Sequence, residues 1–281
     1  MRILLPPSEA KNPGGRGLPL ARRRRRQPID ESRQLAFDAL AKLLSGPEPA
    51  RSLLLPDSAA GPALEANRRV LTAPTMPALD RYAGVVYDGL FLSPLSTAAR
   101  AVAGSALLIF SGLFGVLRGG EPIPNYRVPA KARLPGLGVA ATFWRPRLDE
   151  LRPALLGSGP LIDLRSGDYA GMWQPARRAP HADRLISVRV LSPRPDGGLG
   201  VISFPSKLAK GRLAAALLER RAAGAPVRGA ADLAAAWAAA GGSDLIERNA
   251  PHGTALELIL RSSAGPAGST GSARAAGGRL P

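Results

Sequence analysis

Short apolar runs, bounded by Gly, Pro or Ser, recur along the chain at Arg2 to Leu5, Ala106 to Phe110, Leu161 to Leu164, Ile186 to Val190 and Leu199 to Phe204. Continuous runs of this length read as strands of a sheet covered on both faces, since a half-exposed strand would alternate polar and apolar positions. Helical spacing runs from Glu31 to Ser45, with Asp30 as a candidate N-cap, Gly46 past the end and Leu35, Leu40, Leu43 and Leu44 on one face. A second helix is expected from Leu208 to Ala222, with Leu213, Leu217 and Leu218 inward and Gly224 and Pro226 stopping it, and a third from Asp232 to Ala240 around Trp237. Strands alternating with helices, with no linker-like break, predict one α/β or α+β domain over residues 1–261, a mixed sheet flanked by helices. Residues 12–28 and 72–77 lack periodicity and read as loops. The Ser/Gly/Ala stretch 262–281 is expected to be a disordered tail.

Composition narrows the function. The chain has 281 residues, 45% of them hydrophobic, which suffices for a sizeable core. There is no cysteine, and His181 and His252 are the two histidines, so thiolate catalysis, Cys-based metal sites and multi-histidine metal sites are excluded. No resident metal or cofactor is expected. No apolar run approaches the length of a membrane span, and MRILLPPSEA is too short a stretch for a signal peptide, so a cytoplasmic protein with no membrane partner is expected. A monomer is the simplest expectation. The formal net charge of +17 favours polyanionic partners, although the Gly, Pro, Ala and Arg content also reflects a compositional bias toward arginine. Against that bias, the five lysines, Lys11, Lys42, Lys131, Lys207 and Lys210, mark positions where a compact ammonium is useful.

Four expected strands run into polar clusters: Ser8-Glu9-Ala-Lys11; Ser111-Gly-Leu-Phe-Gly115 followed by Arg118, Tyr126 and Arg127; Arg165-Ser166-Gly-Asp168-Tyr169; and Ser206-Lys207-Leu-Ala-Lys210. In open α/β sheets, ligands bind outside the carboxyl ends of the strands, where such loops converge. Brought together, Lys11, Arg118, Arg127, Lys207 and Lys210 against Glu9 and Asp168 would form a cationic cleft suited to phosphate. The same residue types also serve as ordinary turn residues and N-caps, an alternative that the sequence leaves open. No Walker-type loop, GxSxG or zinc signature is present.

The stretches LLPPSEAKN, Tyr82-Ala-Gly-Val-Val-Tyr87-Asp-Gly89-Leu, Ser111-Gly-Leu-Phe-Gly-Val-Leu-Arg118 and Ile123-Pro-Asn-Tyr126-Arg127 resemble the YaaA family of peroxide stress proteins. So do Phe143-Trp144, Asp163-Leu-Arg-Ser166-Gly-Asp-Tyr169, Ile202-Ser-Phe204 and Lys207-Leu-Ala-Lys210-Gly211, and the match runs in order along most of residues 1–261. The resemblance implies a cytoplasmic single-domain α/β protein with a positively charged cleft. It also implies double-stranded DNA binding and survival of hydrogen peroxide through a lowered level of free intracellular iron. It further implies a helix-hairpin-helix DNA contact, for which Leu134-Pro-Gly136-Leu-Gly138-Val-Ala is the candidate, with Lys131 and Arg133 before it.

Two functions are therefore carried forward. In the first, Lys11, Arg22, Arg23, Arg24, Arg118, Arg127, Lys131, Arg133, Gly136, Gly138, Ser166, Lys207 and Lys210 contact phosphates of duplex DNA, with Arg22 to Arg26 as a basic run. In the second, the strand-end groups act on a nucleotide, a nucleobase or another anionic small molecule such as a phosphorylated metabolite. The catalytic candidates are Glu9 or Asp168 as base, Lys11 or Lys207 as electrophilic donor and Tyr126 as orienting group. Direct iron sequestration has poor ligand support, because Glu9, Asp88, Glu121 and Asp168 are scattered.

Overall fold

A computed structural model describes residues 1–23, 28–150, 155–175, 182–194, 198–225, 227–249 and 254–260. Four of the five apolar runs found in the sequence form the centre of an eight-stranded mixed sheet. Its members are β1 (Arg2–Leu5), β3 (Leu107–Ser111), β4 (Gly115–Arg118), β8 (Leu161–Asp163), β9 (Leu185–Pro193), β10 (Leu199–Gly200), β11 (Gly242–Asn249) and β12 (Thr254–Leu260). Two small antiparallel pairs stand outside it: β2 (Met76–Pro77) with β5 (Pro122–Ile123), and β6 (Arg133–Leu134) with β7 (Gly138–Val139). The main order is β11-β12-β9-β8-β1-β3-β4, with β10 beside β9. Pairing is parallel from β12 through β3 and antiparallel for β4, β10 and β11. Ile3, Leu4 and Leu5 of β1 and all five residues of β3 are buried, as expected of strands covered on both faces.

The layers over the sheet come from α1 (Asp30–Leu44), α2 (Pro49–Ser52), α3 (Asp57–Arg68), α4 (Ala78–Arg81), α5 (Val85–Leu90), α6 (Thr97–Ala106) and α7 (Ala140–Glu150). A short helix Gly167–Ala170, a long helix Ser203–Ala222 and a helix Ala230–Ala239 complete them. The α1 stripe differs from expectation, since Arg33, Ala36, Ala39, Leu40 and Leu43 are buried while Leu35 is exposed. Its N-cap is Ile29 rather than Asp30, and Asp30 lies in the first turn, where it complements the helix dipole. The run Leu199 to Phe204 is a strand only over Leu199–Gly200, and Ser203 already opens the long helix. Val201, Ile202 and Phe204 are exposed, so the apolar run is not a buried strand.

The position of β1 in the sheet sets where the polar loops converge. From β1 the chain travels to β3 on one side, then returns to β8 on the other, so β1 sits where the strand order reverses. The carboxyl ends of β8, β1 and β3 lie side by side here, at the edge where α/β sheets generally bind ligands. Two buried arginines staple the loops around it. Arg81 donates to the carbonyls of Asn12 (2.5 Å), Gly14 (2.8 Å), Pro74 (3.3 Å) and Ile123 (3.3 Å), and Arg33 donates to Phe114 O (3.1 Å) and Val116 O (2.7 Å) while pairing with Glu121. These cations satisfy carbonyls that would otherwise be buried without donors. Part of the chain's positive charge is thus structural, not presented to a partner.

Candidate functional site at the strand carboxyl ends

Beyond Leu5 the chain turns through Pro6 and Pro7, and Lys11 bridges back to Tyr82. The Lys11 side chain is half-buried, with Nζ donating to Ser8 O (3.0 Å) and Glu9 O (3.4 Å). Nζ also lies 4.6 Å from the Tyr126 ring centroid and 5.5 Å from that of Tyr82, within cation-π reach of both faces. The Glu9 carboxylate does not pair with Lys11 and instead takes Arg127 Nε at 2.7 Å. Burial, with the guanidiniums of Arg127 and Arg81 acting in the same sense, lowers the Lys11 ammonium to about 7, and Glu9 only partly offsets this.

Under Lys11 lies a hydroxyl chain. Tyr82 Oη and Tyr126 Oη are 2.5 Å apart, and Tyr126 Oη is 2.6 Å from Ser111 Oγ. Ser111, the last residue of β3, accepts from the backbone N–H groups of Leu113 (3.2 Å) and Phe114 (3.1 Å), which fills its lone pairs and leaves its proton for Tyr126. Tyr87 stacks on Tyr82 with centroids 5.4 Å apart and donates to Pro6 O (2.9 Å). Burial raises all these phenols, Tyr126 to about 12 and Tyr82 and Tyr87 well above the ordinary value. Tyr169, also raised by burial, receives a hydrogen bond from the Ala130 backbone and lies close enough to Glu9, Tyr126 and Asp168 to feel their charges. All four tyrosines of the chain therefore gather at one place.

The β8 loop closes the third side. Arg165 is buried and grips Asp163 with two hydrogen bonds (2.9 and 2.7 Å), then donates to Tyr169 O (3.1 Å) and Trp173 O (2.9 Å), with its guanidinium 4.1 Å from the Phe110 ring centroid. Burial pushes the Asp163 carboxyl up, but Arg165 overcomes it and holds the group below its usual range. Lys210, from the long helix, donates to Arg165 O (3.2 Å), and burial lowers its ammonium against the pull of Asp163. At the rim Asp168 pairs with Lys131 at 2.9 Å, and both are exposed.

Of the residues expected to meet, Glu9, Lys11, Tyr126, Arg127, Lys131, Asp168 and Lys210 are joined by this network. Ser166 is exposed beside it, its carbonyl accepting from Tyr169 and Ala170. Arg118 is not part of it. It pairs with Leu108 near the start of β3 and sits close to Arg2, at the amino end of the sheet, because β4 runs antiparallel. Lys207 is exposed one helical turn before Lys210 and is not joined to the network by any described contact. Arg22 and Arg23 are exposed, with Arg23 donating to Pro122 O (3.2 Å), while Arg24 and the rest of the run to Arg26 lie outside the described residues, as do His181, His252 and the tail from 262. The cations expected to line one cleft are thus divided among several locations.

The helix-hairpin-helix candidate is a β-hairpin leading into one helix. Arg133 pairs with Val139 and Leu134 with Gly138, Leu137 N–H closes on Leu134 O (3.1 Å), and α7 follows at Ala140. Pro129 and the bonds from Ala140 and Ala141 N–H to Ala132 O and Ala130 O hold the preceding segment as a turn, so no helix precedes it. Gly136 (φ +78°) and Gly138 (φ +75°) adopt left-handed conformations with open space where a Cβ would point, and both are exposed, as are Lys131 and Arg133. The segments flanking this hairpin abut the strand-end site, Ala130 through Tyr169 and α7 through Trp144 Nε1, which donates to Gly112 O at 2.9 Å. A separate groove of about 760 Å³, lined mainly by alanines of the two C-terminal helices and by Leu92 and Leu95, contains none of these residues.

Sequence reasoning missed Tyr82, Arg81 and Asp163 as parts of the site, and it placed Arg165 at the head of a strand-end cluster without giving it a role. Tyr82 and Asp163 stood inside quoted motifs, and Arg81 immediately preceded one.

The architecture defines an α/β protein whose polar site lies at the carboxyl ends of three adjacent parallel strands, at the switch point. The model of the family described as "Peroxide stress protein YaaA" matches residues 1–230, and the chain belongs to that family. It is similar to a UPF0246 protein of Streptomyces coelicolor, 38% identical over 235 residues, which covers 83% of this chain and 87% of the relative. A UPF0246 protein of Corynebacterium efficiens is 40% identical over 220 residues (77% and 84%), and one of Corynebacterium glutamicum 35% over 276 residues (92% and 100%). No helix of the described residues is long and apolar enough to cross a membrane.

Proposed function

We propose that this protein serves the peroxide stress response by binding double-stranded DNA, largely through the phosphate backbone, and by helping to limit free intracellular iron. The observation that carries the DNA part is the hairpin tip. Gly136 and Gly138 present bare backbone to solvent, with exposed Lys131 and Arg133 beside them, on a chain of net charge +17. Exposed backbone N–H groups and guanidiniums position a protein on phosphates without reading bases. The peroxide-stress part is supported by the family to which the chain belongs, and the iron part follows from the family resemblance of its motifs; among the described residues no group of three or more His, Asp or Glu stands ready to hold a metal ion.

The test is a mobility-shift titration of duplex DNA across salt. Affinity is expected to fall with a slope on the order of one logarithmic unit per phosphate contacted, and Arg133→Ala to reduce that slope by about 1. Binding indifferent to salt, or none at low salt, overturns the proposal.

One arrangement favours a second reading, that the strand-end site takes a nucleotide, a nucleobase or a phosphorylated metabolite. A half-buried lysine held on tyrosine faces above a hydroxyl chain is more than backbone binding requires.

A further inference from the structure

Lys11 has no carboxylate of its own. Its amine meets two backbone carbonyls and two aromatic faces, while Glu9 is taken by Arg127. The aromatic faces favour the charged amine, but burial and two neighbouring guanidiniums oppose it. Reactive lysines are made in this way, by desolvation and nearby positive charge that release the lone pair. The hydroxyl on the ring beneath the amine adds the second element such chemistry needs. Tyr126 stays protonated through neutral pH and is held between Ser111 and Tyr82, so it can hand a proton to an oxygen leaving beside the Lys11 amine.

We propose that Lys11 is an amine nucleophile that condenses with an aldehyde carbonyl presented at the carboxyl ends of β1, β3 and β8. This deepens the second reading above and rests on it. The neutral amine adds to the carbonyl carbon, forming a C–N bond, and a proton passes from nitrogen to oxygen to give the carbinolamine. Tyr126 then protonates the departing hydroxyl, water leaves, and the nitrogen lone pair forms the iminium. Tyr126 recovers its proton from solvent, and nothing is oxidised or reduced. Arg127, paired with Glu9, and Lys131, paired with Asp168 at the rim, would exchange those carboxylates for a phosphate carried by the aldehyde. Two sources share that chemistry, a free sugar phosphate and the open-chain sugar of an abasic site in DNA.

The full-length chain is incubated at pH 7 with sodium cyanoborohydride and, separately, with glyceraldehyde 3-phosphate, a duplex carrying one abasic site, or the intact duplex. Adducts are then located by peptide mass spectrometry. Lys11 is expected to exceed each of the other four lysines by about tenfold, because its amine stands on the Tyr82 and Tyr126 ring faces beside the hydroxyl chain at the strand ends. The Lys11 adduct is expected to vanish in Lys11→Arg while the other lysines label as before. If Lys11→Arg fails to fold, the distribution over the wild-type lysines decides. Even labelling of all five, or no Lys11 adduct with either carbonyl, overturns the proposal. An adduct with the sugar phosphate alone assigns a metabolite, and one with the abasic duplex assigns DNA. A shifted intact duplex without a Lys11 adduct removes the nucleophile and leaves DNA binding standing. A Lys11 adduct with no duplex shift does the reverse.

Discussion

At the scale of single residues, the strand-end site is a balance between groups that want charge and surroundings that resist it. Asp163 keeps its charge because Arg165 grips both of its oxygens. Lys11 has only carbonyls and ring faces and drops to about 7, below its ordinary 10.5. The sign of the consequence follows from proton counting. Between those two values the unfolded chain binds a proton at Lys11 that the folded chain has released, so raising pH from about 7.5 to 9.5 stabilises the fold, by at most about 1.4 kcal/mol per pH unit. Above that window the raised tyrosines reverse the trend, since they keep their protons in the fold while unfolded phenols ionise. Urea unfolding at pH 7.5 and 9.5 should show the increase in wild type and a flatter response in Lys11→Met. A Lys11→Met protein that gains as much as wild type would show that the site does not depress this lysine.

At the scale of elements, close helix packing brings Lys210 to its place. A Cβ built on Gly211 would lie 2.0 Å from Val86 O, and one on Gly89 2.2 Å from Leu208 O, so α5 and the long helix touch backbone to backbone. Gly211→Ala has no flexible side chain to push aside and should cost about 1–3 kcal/mol or more by thermal or denaturant unfolding, against a few tenths for an Ala elsewhere on the helix surface. A neutral result would mean that the two helices are free to separate. The Gly89 and Gly211 motifs were readable in the sequence, but not that each glycine exists to admit the other's helix. The centre of the sheet was readable for a simple reason: strands buried on both faces leave continuous apolar runs, and β1 starts and ends at Arg2 and Leu5 as expected. Leu199 to Phe204 misled because an exposed apolar run looks the same in sequence as a buried one. The strand-end clusters were visible one at a time. Their pairing, Glu9 with Arg127, Tyr82 with Tyr126, Asp168 with Lys131, depends on β8 and β3 flanking β1, which local pattern does not encode. Arg118 was misplaced for the same reason, since the antiparallel run of β4 carries it to the other end of the sheet.

At the scale of the whole molecule, a formal charge of +17 acts on the fold and would act on the proposed DNA complex with opposite dependence on salt. Buried Arg33, Arg81 and Arg165 are held by carbonyls and carboxylates, but the exposed cations repel one another through water, a term that salt screens. The free protein should therefore gain thermal stability as ionic strength rises from about 0.02 to 0.3 M, a range over which the Debye length contracts from roughly 20 to 6 Å. Duplex DNA bound as proposed would stabilise only the folded form, by mass action, about 2.7 kcal/mol at one hundred times the dissociation constant, and its affinity would collapse over the same range. Melting curves with and without duplex should then converge: the free curve climbs, the DNA-bound curve falls toward it, and the gap closes near the salt at which the mobility shift disappears. Parallel curves across salt would mean that the excess charge is spread too thinly to grip a polyanion, and that the exposed hairpin with Lys131 and Arg133 has some other use.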